Sequence, residues 1–261
     1  MKTKIFNCNP IYKIGNACLF MSFLLTISTS CNTDETQTVT TFNELVMADE
    51  FDTDGAPNPA IWGYNIGTGE NGWGNGEFQY YTDRAENVTV QNGVLIITAK
   101  EESFQGSNYT SARLITKGKF EQTYGRFEAR MWLPWGQGIW PAFWLLGDDS
   151  NGTEVWPQIG EIDIMEYVGD EPTRMFGTVH GPGYSGGQSI SKSYVLANGR
   201  FDTGFHIFGI ERGPNYINYY VLAEWNLVDE KLNVLFEKDE QTRTIKSVDF
   251  KINPNSKYRV N

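Results

Sequence analysis

The sequence is poor in cysteine and in basic side chains, and each shortage excludes a class of protein. Three cysteines occur among 261 residues, and only Cys31 lies beyond the first thirty. A domain that follows that point has no disulfide and no cysteine metal site, so its stability must come from its core. Lys and Arg together number 21 against 32 Asp and Glu, which gives a net charge of −11. This balance argues against nucleic acid as a partner, because phosphates require a basic surface.

A long apolar run is also missing. The run from Ala17 to Ile27 follows three lysines and is too short to span a membrane comfortably, so it indicates a signal peptide. Small residues at 28–30 then precede Cys31, an order that resembles the lipobox of bacterial lipoproteins. We therefore expect residues 1–30 to be a lipoprotein signal peptide and Cys31 to anchor the protein to the membrane through lipid. The expected location is the outer membrane or cell surface of a bacterium. The alternative is an ordinary cleaved signal with a chance cysteine.

Helical periodicity is absent as well, and short β-rich segments dominate the chain beyond a polar tether at residues 31–45. Two such segments flank Asn92-Gly93, a dipeptide typical of a hairpin turn. Apolar and polar residues alternate cleanly from Arg126 to Leu133, which predicts a strand with one buried face. Many short strands with closely spaced turn residues predict an all-β domain, either a sandwich or a barrel.

Three carboxylates lie close together in the segment Gly160–Gly169, which reads GEIDIMEYVG. Side chains on a strand repeat every two residues, so Glu161 and Asp163 share a face while a regular strand would turn Glu166 into the core. An unpaired buried carboxylate is costly. One extra residue in a β-bulge would return Glu166 to the face of the other two acids. We therefore predict a bulge between Asp163 and Glu166.

Such a cluster raises the pKa of at least one of its carboxyl groups, because like charges disfavour each other's ionisation. Glycoside hydrolysis requires a protonated carboxyl beside an ionised one. The first protonates the leaving oxygen, while the second attacks the anomeric carbon or activates water. Carboxyl groups about 5 Å apart would favour the retaining, covalent mechanism. The alternatives are a solvated acidic strand face and a calcium site.

Aromatic residues surround this segment in the sequence. Just upstream, Trp140, Ala142 and Trp144 share one face of an extended run. The flat C–H faces of sugars suit exposed aromatic platforms, whereas buried indoles are the usual alternative. The stretch WGYNIGTGENGWGNGEFQYYT adds further aromatic residues and Asn75 in a Gly-rich context that suits cleft loops. His180 ends a predicted strand before a Gly/Pro turn, where it is either structural or a substrate contact.

At these motifs the chain resembles family 16 of the glycoside hydrolases, and its laminarinase-like members in particular. GEIDIMEYVG is similar to the E-x-D-x-x-E signature of the family in its bulged form. The segments SARLITKGKFEQTYGRFEARMWLPWGQGIWPAFWLLG, WGNGEFQYYT and GTVHGPGYSGG resemble its other conserved segments and occur in the expected order. The resemblance covers residues 46–221 and implies a β-jelly-roll sandwich of two antiparallel sheets with a concave substrate cleft. It also implies retaining endo-hydrolysis of a laminarin-like β-1,3-glucan.

Position by position, the resemblance implies a role for each acid of the signature. Glu161 matches the nucleophile, Glu166 the acid/base, and Asp163 the residue that assists the nucleophile. Contacts to the glucan are implied for a second set, which comprises Asn75, Arg113, Trp140, Trp144 and His180. Family members often hold a structural calcium away from the cleft, partly through an acid near the first strand, and Glu50 matches that position. No cofactor is expected for catalysis, and we expect a monomer.

The resemblance ends after residue 221. The family usually continues with an Asp-Gly pair, a Gly-Gly loop with an aromatic-Pro pair and a closing strand, and residues 222–261 contain none of these. This atypical C-terminal segment either supplies a replacement strand around Val248, Phe250 and Ile252 or is a truncation or frameshift product.

Three functions are compatible with these features. The first is hydrolysis of β-1,3-glucan, and the second is hydrolysis of mixed-linkage β-glucan or algal galactan by the same residues. The third is glycan binding by an inactive surface lipoprotein. The intact acid triad favours an enzyme, because binding alone does not require it.

Overall fold

The structure is a computed structural model that describes residues 42, 44–149, 152 and 155–223, together with the backbone of residues 258–260. All of these belong to one compact unit. The signal peptide, Cys31, most of the tether and the replacement strand expected around Val248 lie outside the described residues. Within the described ranges, no helix has both the length and the apolar character needed to cross a lipid bilayer.

Strands dominate the described residues, as the sequence predicts. In chain order they are β1 Gly63–Asn65, β2 Gln79–Tyr81, β3 Val88–Gln91, β4 Val94–Ile97, β5 Lys100–Phe104, β6 Ser107–Ser111, β7 Arg113–Ile115, β8 Gly125–Met131, β9 Ala142–Gly147, β10 Glu161–Tyr167, β11 Arg174–His180, β12 Ile190–Val195, β13 His206–Gly213, β14 Tyr216–Ala223 and β15 Tyr258–Val260. The helical elements are a five-residue turn at Gly72–Gly76 and single 3₁₀ turns at Gly186–Gln188 and Phe201–Thr203.

Two antiparallel sheets enclose the main core. One has the strand order β12-β11-β10-β9-β15, and the other has the order β14-β13-β8. Buried side chains from both sheets meet in one cluster, whose members include Leu145, Ile162, Val179, Ile210 and Ile217. Each sheet therefore buries one face against the other, which is the arrangement of a β-sandwich. The predicted all-β sandwich is confirmed.

Three smaller sheets flank the sandwich, with the strand orders β2-β6-β5, β1-β7 and β3-β4. β2 and β6 pair in parallel, in contrast to the antiparallel pairing of both main sheets. The predicted hairpin is confirmed, because β3 and β4 pair across Asn92-Gly93. Both turn residues have positive φ, 54° and 74°, as the tightest hairpin turns require.

The alternating segment that begins at Arg126 is also confirmed as a strand. It forms β8, with Phe127 buried against the opposite sheet. The alternation continues past the end of β8, because Leu133 is buried while Trp132 is 56% exposed. The exposed side chains of β8 therefore lie on the face of its sheet that points away from the core.

The C-terminal segment contributes to the sandwich at its very end. β15 pairs antiparallel with β9 and forms one edge of the five-stranded sheet. The sequence suggested Val248, Phe250 and Ile252 for a replacement strand, and those residues lie outside the described part of the chain. The added strand pairs the backbone groups of β9 that would otherwise form an open sheet edge.

The two main sheets approach closely at Gly177 of β11. Its neighbours Met175 and Val179 are buried, so Gly177 lies on the core face of the strand. A Cβ atom at this position would lie 2.7 Å from the ring of Tyr219 on β14. The hydroxyl of Tyr219 donates a hydrogen bond to the carbonyl oxygen of Thr178 at 3.0 Å. Because glycine has no side chain, Tyr219 can pack against β11 and form a hydrogen bond with its backbone.

Gly177→Ala should destabilise the protein by about 1–3 kcal/mol, because the new methyl group overlaps the Tyr219 ring in a closely packed core. The free energy of unfolding in denaturant measures this loss. Gly187→Ala is the matched control, since a Cβ at Gly187 meets nothing within 4 Å. Equal stability of the two variants would contradict the proposed close packing.

Candidate active site

The carboxylate strand β10 contains the predicted bulge. Its pairing with β11 shifts between Asp163 and Glu166, and its pairing with β9 shifts between Asp163 and Met165. Ile164 and Met165 are consecutive, yet both are buried in the core at 1% exposure. Because two neighbouring side chains face inward, Glu166 returns to the outer face that carries Glu161 and Asp163. The bulge is confirmed between the two residues where the sequence places it.

His180 lies beside the first two acids. It faces Glu161 across the β10–β11 pair. Its Nε2 atom lies 3.2 Å from Oδ2 of Asp163 and 3.6 Å from Oε1 of Glu161. The backbone N–H of Gly186 donates to Nδ1 at 3.1 Å. In the neutral ring Nε2 therefore carries the proton and donates it toward the carboxylates.

Glu166 has a different set of partners. The hydroxyl of Thr178 donates to its Oε2 atom at 3.1 Å. That hydroxyl also lies 3.0 Å from the hydroxyl of Ser191, and either of the two can be the donor. Because the Thr178 hydroxyl can rotate, it can donate to an ionised Glu166 or accept from a protonated one, and Ser191 can take the complementary role toward Thr178. The indole of Trp140 adds a further hydrogen bond to Glu166.

Burial raises the pKa of all three acids. It raises the pKa of Glu161 to about 7, with the charge of Asp163 as the second cause. The pKa of Asp163 is also raised by burial, although its hydrogen bond to His180 acts in the opposite direction. Burial and then the charge of Asp163 raise the pKa of Glu166. The cluster therefore retains a proton near neutral pH, and its titrations are shared between its members.

The same acids influence the histidine. Burial lowers the pKa of His180, because the charged ring is disfavoured away from water. The hydrogen bond to Asp163 and the negative charges of Glu161 and Glu166 act in the opposite direction and raise the pKa overall. His180 is thus electrostatically coupled to the acid cluster.

The other residues with implied glucan contacts are connected to this face. Trp144 lies opposite Asp163 on β9, and Trp140 is 50% exposed beside Glu166. The guanidinium of Arg113 lies 4.6 Å from the ring centre of Trp144. Asn75 is exposed in the turn Gly72–Gly76. The structure thus brings Trp140, Trp144 and His180 to the acid cluster and stacks Arg113 on Trp144, whereas Asn75 lies in a turn whose Trp73 also stacks on Arg113.

Trp156 is a site residue that sequence reasoning missed. Its ring centre lies 5.8 Å from that of His180, and its side chain hydrogen-bonds Glu161. It is 44% exposed, so its ring also faces solvent. The only signal in the sequence is its position a few residues before the acidic motif. Thr178 was missed too, although the two-residue period of β11 places it on the same face as His180.

The carboxylates at the expected calcium position do not form a cluster of metal ligands among the described residues. Glu50 is exposed, and both carboxylate oxygens of neighbouring Asp49 already accept hydrogen bonds, from Phe51 N–H at 3.0 Å and from the Trp62 indole at 2.8 Å. Calcium takes six to eight oxygen ligands. Within the described ranges, the only three-residue group with metal-ligand spacing is Glu161, Asp163 and His180. A single carboxylate at Glu50 does not make a calcium site by itself, and the calcium stays a prediction.

Comparison with known proteins gives consistent results. A family model described as "Glycosyl hydrolases family 16" matches residues 75–250. The chain is 43% identical over 217 residues to the beta-glucanase of Rhodothermus marinus, which covers 81% of this chain and 75% of that protein.

Solved structures show the same relationship. The laminarinase catalytic domain from Thermotoga maritima is similar with a TM-score of 0.68 and 40% identity, covering 83% of this chain and 85% of that one. The laminarinase from Rhodothermus marinus is similar with a TM-score of 0.69 and 39% identity, covering 83% and 84% of the two chains. These similarities confirm the β-jelly-roll sandwich and the resemblance to the laminarinase-like members. The chain belongs to family 16 of the glycoside hydrolases.

Proposed function

We propose that this enzyme is an endo-β-glucanase that hydrolyses laminarin-like β-1,3-glucan with retention of anomeric configuration. The bulge in β10 is the observation that carries the proposal, because it places Glu161 and Glu166 on one face with Asp163 between them. A similar beta-glucanase and two similar laminarinases support the choice of substrate. The raised carboxyl pKa values support acid/base chemistry near neutral pH.

In the first step of the proposed mechanism, Glu161 acts as the nucleophile. Its ionised oxygen forms a bond to the anomeric carbon, while the protonated Glu166 gives its proton to the glycosidic oxygen and the C–O bond breaks. In the second step, the ionised Glu166 takes a proton from water. The water oxygen attacks the anomeric carbon, and the ester bond to Glu161 breaks.

The hydrogen-bond partners support this division of roles. Glu161 accepts a hydrogen bond from the indole of Trp156 and lies 3.6 Å from Nε2 of His180, and both the donor and the nearby positive charge favour its ionised form. Glu166 faces the rotatable hydroxyl of Thr178, which suits a group that is protonated in one step and ionised in the next. Asp163 accepts a hydrogen bond from Nε2–H of His180 and so holds the ring of His180 beside both glutamates.

Replacing the nucleophile tests the first step. Glu161→Gln keeps the shape of the side chain but cannot form the covalent intermediate, so release of reducing sugar from laminarin should fall by more than about 10³-fold. With Glu161→Ala, added azide can attack in place of the missing carboxylate and should give the α-glycosyl azide. With Glu166→Ala, azide should instead trap the intermediate and give the β-glycosyl azide.

The outcomes separate the remaining alternatives. Equal turnover by the wild type and Glu161→Gln would sink the assignment of the nucleophile. Laminarin binding without turnover by the wild type would favour a glycan-binding protein. Faster cleavage of mixed-linkage β-1,3/1,4-glucan or sulfated galactan than of laminarin would favour a different substrate for the same residues.

The pH profile tests both glutamates. We expect kcat/KM to fall as the pH drops through about 7, because Glu161 must be ionised and its pKa is raised to about 7. The alkaline limb should follow the loss of the proton that Glu166 shares with the coupled acid cluster, since burial and the charge of Asp163 raise the pKa of Glu166. Thr178→Val removes a donor to the ionised Glu166, which favours the protonated form and should move the alkaline limb to higher pH. Thr178→Ser retains the hydroxyl and should keep the wild-type limb. An alkaline limb that is identical in all three proteins would contradict the role of Glu166.

We also propose that the protein is exported and anchored through lipid at Cys31. The order of basic residues, apolar run, small residues and cysteine supports this proposal. In a bacterial host, Cys31→Ser should abolish incorporation of labelled fatty acid and release the protein from the membrane fraction. Membrane association that is the same in both proteins would contradict the anchor and leave an ordinary cleaved signal or another membrane contact.

A further inference from the structure

The turn Gly72–Gly76 holds Asn75 in a strained part of the chain. Asn71 and Trp73 have φ values of 51° and 57°, in the left-handed region that residues with side chains rarely adopt. A Cβ at Gly72 would lie 2.5 Å from the backbone nitrogen of Glu77, so the turn also folds back tightly on itself. Strained conformations of this kind persist only where surrounding contacts determine them.

Glu77 supplies the polar contacts. Its Oε1 atom accepts a hydrogen bond from Nδ2 of Asn75 at 3.1 Å. Its Oε2 atom accepts hydrogen bonds from Nε2 of Gln79 at 2.5 Å and from the hydroxyl of Tyr81 at 2.7 Å. Gln79 and Tyr81 belong to β2, so one carboxylate connects the turn to a strand. Bonds to an ionised acceptor are stronger than bonds between neutral groups.

Aromatic stacking supplies the remaining contacts. The rings of Trp73 and Tyr81 lie 5.8 Å apart. The guanidinium of Arg113 lies 4.9 Å from the ring centre of Trp73 and 4.6 Å from that of Trp144. Because Trp144 lies opposite Asp163, this stack links the turn to the catalytic strand. Arg113 thus has a structural contact with both sides of the site, in addition to any contact with substrate.

We propose that Glu77 is a positioning residue that orients the side-chain amide of Asn75 toward the bound glucan. Because Nδ2 of Asn75 donates to Glu77, its Oδ1 atom points away from the carboxylate and is presented as an acceptor. Asn75 is exposed, so a hydroxyl of a neutral sugar can donate to this oxygen. The inference rests on the proposed glucanase function and names an interaction that this site uses to hold its substrate.

The proposal predicts a specific effect for Glu77→Gln. The variant keeps the size of the side chain but replaces one acceptor oxygen with an NH₂ group, so the amide of Asn75 is no longer held in one orientation. KM for laminarihexaose should rise about three- to tenfold, the range expected for one lost hydrogen bond, with kcat unchanged. Asn75→Ala should raise KM similarly, and Asn75→Ala/Glu77→Gln should raise it no further, because the two residues act as a unit.

Glu101→Gln is the matched control, because Glu101 is an exposed glutamate on β5 of the same small sheet. The KM and the melting temperature of Glu101→Gln should equal those of the wild type. Asn75→Asp is a second variant that keeps an acceptor but loses the donor to Glu77. At this exposed position it should fold normally and raise KM as Asn75→Ala does.

Three results would overturn the positioning role. They are an unchanged KM in Glu77→Gln or in Asn75→Asp, additive effects in the double variant, and a fall in kcat that matches the rise in KM. Failure of the wild type to cleave laminarihexaose would instead overturn the proposed function, so the two failures are distinguishable. Binding of laminarihexaose to the Glu161→Gln protein, with and without Glu77→Gln, reports on positioning independently of turnover.

Discussion

The architecture of the site depends on one extra residue in β10. A regular strand with Glu161 and Asp163 on its solvent face would place Met165 on that face too and Glu166 in the core, and both placements are unfavourable. In the bulged strand Ile164 and Met165 both fill the interior, and the third acid joins the other two outside. The bulge therefore has two effects: it buries both apolar side chains in the core, and it places all three acids on the outer face. The acid cluster therefore lies on the middle strand of the five-stranded sheet rather than on a loop.

Burial of three carboxylates is unfavourable. Side chains on the neighbouring strand offset this cost by donating hydrogen bonds to the acids. From β11, His180 donates to Asp163 and lies 3.6 Å from Glu161, and Thr178 donates to Glu166. These donors come from a strand that is itself held across the sandwich, because Tyr219 bonds to the carbonyl of Thr178. The electrostatics of the site therefore depend on the packing between the sheets. The raised pKa values follow from the same burial, since desolvation disfavours the charged forms.

Much of the fold and of the acidic site could be predicted because the relevant signals are local. Three signals each involve residues within about ten positions of one another. They are the alternation in β8, the Asn92-Gly93 turn and the spacing of the three acids along β10. The hydroxyls of Thr178 and Ser191 and the stack of Arg113 between two indoles could not be found in this way. They depend on which strands pair and in which register, and that is decided by long-range packing.

The sequence by itself therefore determined the all-β class, the position of the bulge and the identity of the three acids. The physical reason is that strand periodicity and the cost of burying charge act on neighbouring residues. Only the tertiary structure decided which donors surround each acid, that β15 pairs with β9, and that Glu77 links the Asn75 turn to β2. The donor contacts and the pairing of β15 join residues that are distant in the chain, so they exist only once the sheets have assembled. The contacts of Glu77 are local but depend on the left-handed turn at Asn71 and Trp73.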